Sequence, residues 1–160
     1  MDAPATGVTA ALDRAGVPYR VLPHAEPVYT VEAAARQRGV DAGEMVKSIL
    51  LRDRAGHYAL ACVLGPDRVD PRAVRAHLPP GWQRLSFASA DDILAVNGCV
   101  QGAVAPLGLP DDLPVLFDTA IAGCARVNIS SGDVLAGLEL DPRDLIRAAG
   151  ARLAPIAAGS

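Results

Sequence analysis

An α+β fold, with a mixed, largely antiparallel sheet and flanking helices, is predicted for this chain by three observations. Four segments carry the start signals of helices, six short runs are rich in branched and aromatic residues, and two of those runs are joined by the turn-forming residues Asp53, Arg54, Ala55 and Gly56.

In chain order, the first strand is expected over 19–22. Thr30 then supplies an N-cap acceptor for a helix over 31–38, which Gly39 ends. Strands over 45–51 and 58–64 flank the Asp53–Gly56 turn as a hairpin. Asp70-Pro71 starts the next helix, because aspartate caps and proline suits the first helical position. A strand over 83–87 leads to Ser89, which with Asp92 three residues on makes a capping-box entry to a helix that Gly98 stops. Strands follow over 115–117 and 125–129. Asp141-Pro142 repeats the earlier start signal, and Gly150 closes the final helix. One domain over 1–153 is expected, with the small-residue segment 154–160 as a flexible tail.

The composition bounds the function. The 160 residues are 51% hydrophobic and 21% charged, which suits one compact unit with an apolar core. No apolar run nears the roughly 20 residues of a membrane span, and residues 1–11 lack the basic start and apolar centre of a signal peptide, so a cytoplasmic protein without membrane contact is expected. Cys62, Cys99 and Cys124 are odd in number and without CxxC spacing, so neither a disulfide framework nor a zinc site is expected, and no cofactor motif is present. The net charge of −3 argues against the broad basic footprint of a DNA-binding protein. Any RNA contact should be local. There is no GxSxG elbow, and His24, His57 and His77 show no metal-binding spacing.

Three segments carry candidate chemistry. Lys47 is the only lysine among 15 cationic residues, and the strand period of two places it on the same side as Met45, Ile49 and Leu51. It is either an edge-strand lysine reaching water or a cation lining a cleft. In 97–108, Gly98, Gly102, Gly108 and Pro106 punctuate an apolar run. Such a loop either simply connects two elements or, with small residues such as Ala103, leaves amide N–H groups free to bind a carbonyl or an oxyanion. Ser130, Ser131 and Gly132, after a strand-like run, form either a turn or a polar corner of a pocket.

In order as well as content, these segments resemble the YbaK-like aminoacyl-tRNA deacylases, relatives of the editing domain of bacterial prolyl-tRNA synthetase. Val46-Lys47-Ser48-Ile49-Leu50-Leu51 looks like the family's strand bearing its functional lysine, 102–106 fits its GxxxP loop, and Ser130-Ser131-Gly132 fits its late Ser/Gly turn. The resemblance implies a metal-independent ester hydrolase that clears a small mischarged amino acid (alanine or cysteine, or serine) from tRNA(Pro) in trans. Its implied partners are the 3′-terminal aminoacyl-adenosine of the acceptor end and a prolyl-tRNA synthetase. It assigns catalysis to Lys47 and Gly102. Substrate contacts fall to Tyr29, Thr30, Ser48, Ala103, Pro106, Ser130, Ser131 and Gly132. Asp133 departs from the basic residues the family often carries there and would repel a phosphate. That departure keeps open a non-catalytic module of the same fold that binds aminoacyl-tRNA, a nucleotide or a synthetase.

Overall fold

The computed structural model describes residues 3–98 and 103–159. In chain order it contains α1 (Gly7–Ala15), β1 (Arg20–Pro23), α2 (Val31–Arg38), β2 (Val46–Arg52), β3 (Tyr58–Leu64), α3 (Pro71–Ala76), β4 (Ser86–Phe87), α4 (Ala90–Asn97), β5 (Val115–Asp118), β6 (Val127–Ser130), β7 (Ala136–Leu140), α5 (Pro142–Ala149) and β8 (Arg152–Ala154). Short 3-10 turns occupy Ala42–Glu44 and Thr119–Gly123. The α+β class is as the sequence predicts, but the strands form two sheets. One is a three-stranded antiparallel sheet of order β1-β7-β6; the other is five-stranded, of order β4-β2-β3-β5-β8, and parallel where β5 meets β3 and β8.

Local chemistry sets the helix starts. The Thr30 hydroxyl accepts the Ala33 N–H at 3.1 Å, and Asp70 and Asp141 accept the Arg72 and Arg143 N–H groups at 3.0 and 2.8 Å. Ser89 and Asp92 satisfy each other's backbone N–H reciprocally, at 3.0 and 3.1 Å. Asp92 also receives the Tyr58 hydroxyl at 2.9 Å and Arg52 at 3.2 Å, tying α4 to the β2–β3 hairpin. The helices over Val31–Arg38, Ala90–Asn97 and Pro142–Ala149 end on Gly39, Gly98 and Gly150, each at positive φ near 60–69°.

The hairpin is the centre of the larger sheet. Its register runs from Val46 opposite Leu64 to Arg52 opposite Tyr58. The buried Asp53 carboxylate organises the turn, accepting the N–H groups of Ala55, His57 and Gln83 at 2.9 to 3.1 Å and facing the His57 ring at 3.0 Å. Alternation along β2, β3 and β5 then feeds two cores. Leu50, Leu60, Cys62 and Phe117 pack with Val127, Ile129 and Leu138 of the smaller sheet and with Leu12 and Leu145 of the helices. Leu51, Ala61, Val63 and Leu116 pack on the other face with Val74, Leu85 and Ile156.

Three elements escape the sequence reading: α1, β7 and β8. The last corrects the expected flexible tail from residue 154. β8 pairs parallel with β5, Ile156 is fully buried, and the Ile156 and Ala157 N–H groups donate to Asp118 at 2.9 and 3.1 Å. Small apolar residues there are core filler rather than linker. No described helix is long and apolar enough to cross a membrane.

Candidate active site

Among the described residues one backbone bridge joins the edges of the two sheets, a parallel pairing of Met45 and Asn128, after which β2 and β6 diverge. The gap they leave is a cavity of about 410 Å³, within the usual size of a small-ligand site. One wall is the edge of β2. The Gly65 N–H donates to the Met45 carbonyl at 2.8 Å, so the antiparallel ladder turns the peptide groups of Met45, Lys47 and Ile49 toward β3. Those of Val46, Ser48 and Leu50 point the other way. Only at Leu50, whose carbonyl accepts the Ala88 N–H at 3.0 Å, is that edge taken up again.

Lys47 emerges on the face of Ile49 and Leu51, as the period of two predicts. Its ammonium donates to the carbonyls of Asp67 and Gly65, at 2.5 and 3.3 Å. Two neutral acceptors fix the group without neutralising its charge, and among the described residues no carboxylate pairs with it, so Lys47 borders the cavity with one N–H of its ammonium remaining. Ser48, on the opposite face, also borders the cavity, and its hydroxyl receives the Cys62 thiol at 3.4 Å. Burial pushes that thiol up to about 12, so Cys62 is a protonated core residue and not a nucleophile.

Of the residues singled out from sequence, the cavity brings together Tyr29, Thr30, Lys47, Ser48 and Ser130. Tyr29 is 61% exposed at the rim, and the Thr30 hydroxyl is occupied as the N-cap of α2. The Ser130 hydroxyl donates to the Ala103 carbonyl at 2.9 Å and accepts the Gly132 N–H at 3.1 Å, which pins the incoming loop to the end of β6. Ala103, Pro106, Ser131 and Gly132 lie outside this cavity. Ala103 and Gly132 line a smaller neighbouring one, and Pro106 another beside α1 and α5. Ser131 is fully buried, with its hydroxyl donated to the Ala136 carbonyl at 2.6 Å. Gly102 lies outside the described residues.

Sequence reasoning missed His24, Arg38 and Phe87, all of which line the cavity. Phe87 is 62% exposed, and with Tyr29 it gives the mouth two exposed aromatic rings. Arg38 carried a usable signal, since it occupies the i+7 position of an apolar stripe begun by Val31, Ala34 and Ala35. The carboxylates at the cavity are Asp133 and Glu32.

Residues 25–148 match the aminoacyl-tRNA editing domain family. The chain belongs to that family. It is 31% identical over 143 residues to the prolyl-tRNA editing protein ProX of Acetoanaerobium sticklandii, covering 86% of this chain and 85% of that protein. The multifunctional Ser/Thr-tRNA deacylase ProXp-y of Escherichia coli K12 is 28% identical over 112 residues, or 68% of this chain and 65% of that one. The proline–tRNA ligase of Trichlorobacter lovleyi is 27% identical over 110 residues, 69% of this chain but only 19% of the ligase. The solved structure of hypothetical protein APE2540 superimposes with a TM-score of 0.86 at 27% identity, covering 95% of this chain and 99% of that one.

Proposed function

We propose that this member of the editing family is a trans-acting aminoacyl-tRNA deacylase that removes a small mischarged amino acid, alanine, cysteine or serine, from tRNA(Pro). The observation that carries the reading is the cavity at the split between the sheets, where an unpaired strand edge and the uncompensated Lys47 ammonium converge in a chain of this family. Its action is placed in the cytoplasm, where tRNA is charged.

The cavity suits the 3′-terminal aminoacyl-adenosine. Lys47 supplies positive charge for the ribose or phosphate side of the ligand. The peptide group of Ser48, on the stretch of β2 edge past the Met45–Asn128 bridge, offers both a donor and an acceptor, as an ester carbonyl and a ribose hydroxyl require. Val28, Val31, Met45 and Ile93 give an apolar wall for a short side chain. Asp133, which would repel a phosphate, complements the α-ammonium of an aminoacyl group. A prolyl-tRNA synthetase is the partner that would add the basic surface this acidic chain lacks, and the relation to proline–tRNA ligases supports it.

An aminoacyl ester is already activated, so orientation and stabilisation of the developing oxyanion supply most of what the reaction needs. Water adds to the carbonyl carbon and the carbonyl π pair moves onto oxygen. The intermediate then collapses, expelling the ribose oxygen, which takes up the proton the water has lost. Free amino acid and uncharged tRNA result.

The test is single-turnover deacylation of tRNA(Pro) charged separately with alanine, cysteine, serine and proline, with wild type beside Lys47→Ala. Rapid loss of one non-cognate amino acid, sparing proline and slowed in the variant, is expected. Binding of tRNA without hydrolysis of any of the four would overturn the reading in favour of a non-catalytic module.

A further inference from the structure

Arg38 ends α2 and extends across the smaller sheet at Gly137, where the missing side chain makes room for it: a Cβ at 137 would overlap the guanidinium carbon and Nε. Gly137 stands opposite Ser130 in the β6–β7 register, so the guanidinium lies on the cavity side of that sheet. Its Nε donates to Nε2 of His24 at 3.0 Å. Arginine has no acceptor, so Nε2 must accept; the other ring nitrogen, Nδ1, carries the proton and donates to the Val134 carbonyl at 2.9 Å. His24 is therefore a neutral partner.

The remaining contact is Nη1 to the Met45 sulfur at 3.7 Å. Among the described residues, no carboxylate lies within ion-pair distance of Arg38. The seat thus holds the cation through Nε and, weakly, Nη1, while Nη2 lies over Gly137 with no acceptor among the described residues, in a side chain that lines the cavity. Burial lowers the Arg38 pKa to about 10, which leaves it charged at neutral pH. A desolvated cation paired with no anion is costly in an empty cavity, and that cost is relieved when a ligand brings negative charge.

Building on the deacylase reading, we propose that Arg38 is a substrate-binding residue whose Nη groups receive an anionic oxygen of the bound aminoacyl end. Two oxygens share this chemistry. One is the ester carbonyl oxygen as water adds, and the other belongs to the phosphate that joins the terminal adenosine to the preceding nucleotide. The planar fork serves either, and the Gly137 gap fixes its direction.

The experiment compares wild type, Arg38→Gln, Arg38→Lys and Gly137→Ala on intact aminoacyl-tRNA and on 2′(3′)-O-aminoacyl-adenosine, which lacks the phosphate. If the oxygen is the carbonyl's, Arg38→Gln lowers kcat on both substrates by about 10²-fold, the scale for losing one oxyanion donor. If it is the phosphate's, the loss falls on KM and on the tRNA alone. Gly137→Ala, which evicts the guanidinium while retaining it chemically, should follow Arg38→Gln, and Arg38→Lys should recover only part of the activity. Kinetics within twofold of wild type on both substrates, in whichever of Arg38→Gln and Gly137→Ala keeps the wild-type melting profile, would overturn the proposal while leaving the deacylase reading intact. A wild type that hydrolyses neither substrate would overturn both.

Discussion

Lys47 and Ser48 are consecutive in β2 and emerge on opposite faces of the sheet, yet both border one cavity, because that cavity opens at the strand's edge and wraps around it. The two differ in what else they hold. Lys47 anchors the Gly65 and Asp67 carbonyls, whereas Ser48 meets only the Cys62 thiol. Lys47→Met should therefore lower deacylation and also cost about 1–3 kcal/mol of stability through the orphaned carbonyls. Ser48→Ala should leave stability within about 0.5 kcal/mol, so any kinetic loss there reports substrate contact. Urea melts beside single-turnover rates check both statements.

Tyr29 and Phe87 are both more than 60% exposed at the cavity mouth, and under the proposed function they stack on unpaired bases of the acceptor end. Stacking of a base on an aromatic ring is worth about 1–3 kcal/mol. Phe87→Ala and Tyr29→Ala are each expected to raise KM for aminoacyl-tRNA by roughly 5- to 150-fold without lowering the melting temperature. An unchanged KM in both would remove the stacking role.

Asp53 sets an acid limit. Burial alone would raise its pKa, but the N–H groups of Gln83 and His57 and the His57 ring outweigh that and hold it at about 2. A carboxylate depressed in the folded state contributes stability that is fully present above its unfolded value of about 3.9 and is lost as pH falls through about 2. Asp53→Asn should thus be destabilised at pH 7, and the gap from wild type should close progressively between about pH 4 and pH 2 in denaturant titrations.

Cys62 should resist alkylation in the native protein at pH 8, since burial both covers the thiol and keeps it protonated. Cys62→Ala should retain deacylase activity. Loss of activity with an intact fold would instead revive a thiol mechanism.

Ile156 should matter as a core residue. Ile156→Ala is expected to cost about 2–5 kcal/mol, the range for a buried large-to-small change. Truncation after Ala151 should cost at least as much, because it also strips β5 of its β8 neighbour and the buried Asp118 carboxylate of two donors.

What was legible in the sequence was local. Caps such as Thr30, Ser89 and Asp141 act within three residues, and the hairpin is fixed by its own turn, so a linear reading finds them. β7 is different. Its Ala-Gly-Leu-Glu-Leu composition favours no strand, and it becomes one because β1 and β6 pair with it on both sides. α1 is capped by a Thr6–Thr9 box, which lacks the usual glutamate. β8 depends on Asp118, 38 and 39 residues upstream of the amides it receives. In the site, Lys47 stood out as a lone charge in an apolar strand. The cavity could not be read at all, since it exists only where β6 leaves β2 after the Met45–Asn128 bridge.

A strand whose peptide groups are left unpaired is ordinarily a liability, a template on which a second copy of the chain can add itself. Here the open stretch of β2 is short, closed at one end by the β6 bridge and at the other by Ala88, and overhung by α2. Lys47, Arg38, Glu32 and Asp133 surround it with charge, which a nucleotide end can satisfy and an apolar strand cannot. The features that would admit the acceptor end of a tRNA therefore also guard the fold against self-association.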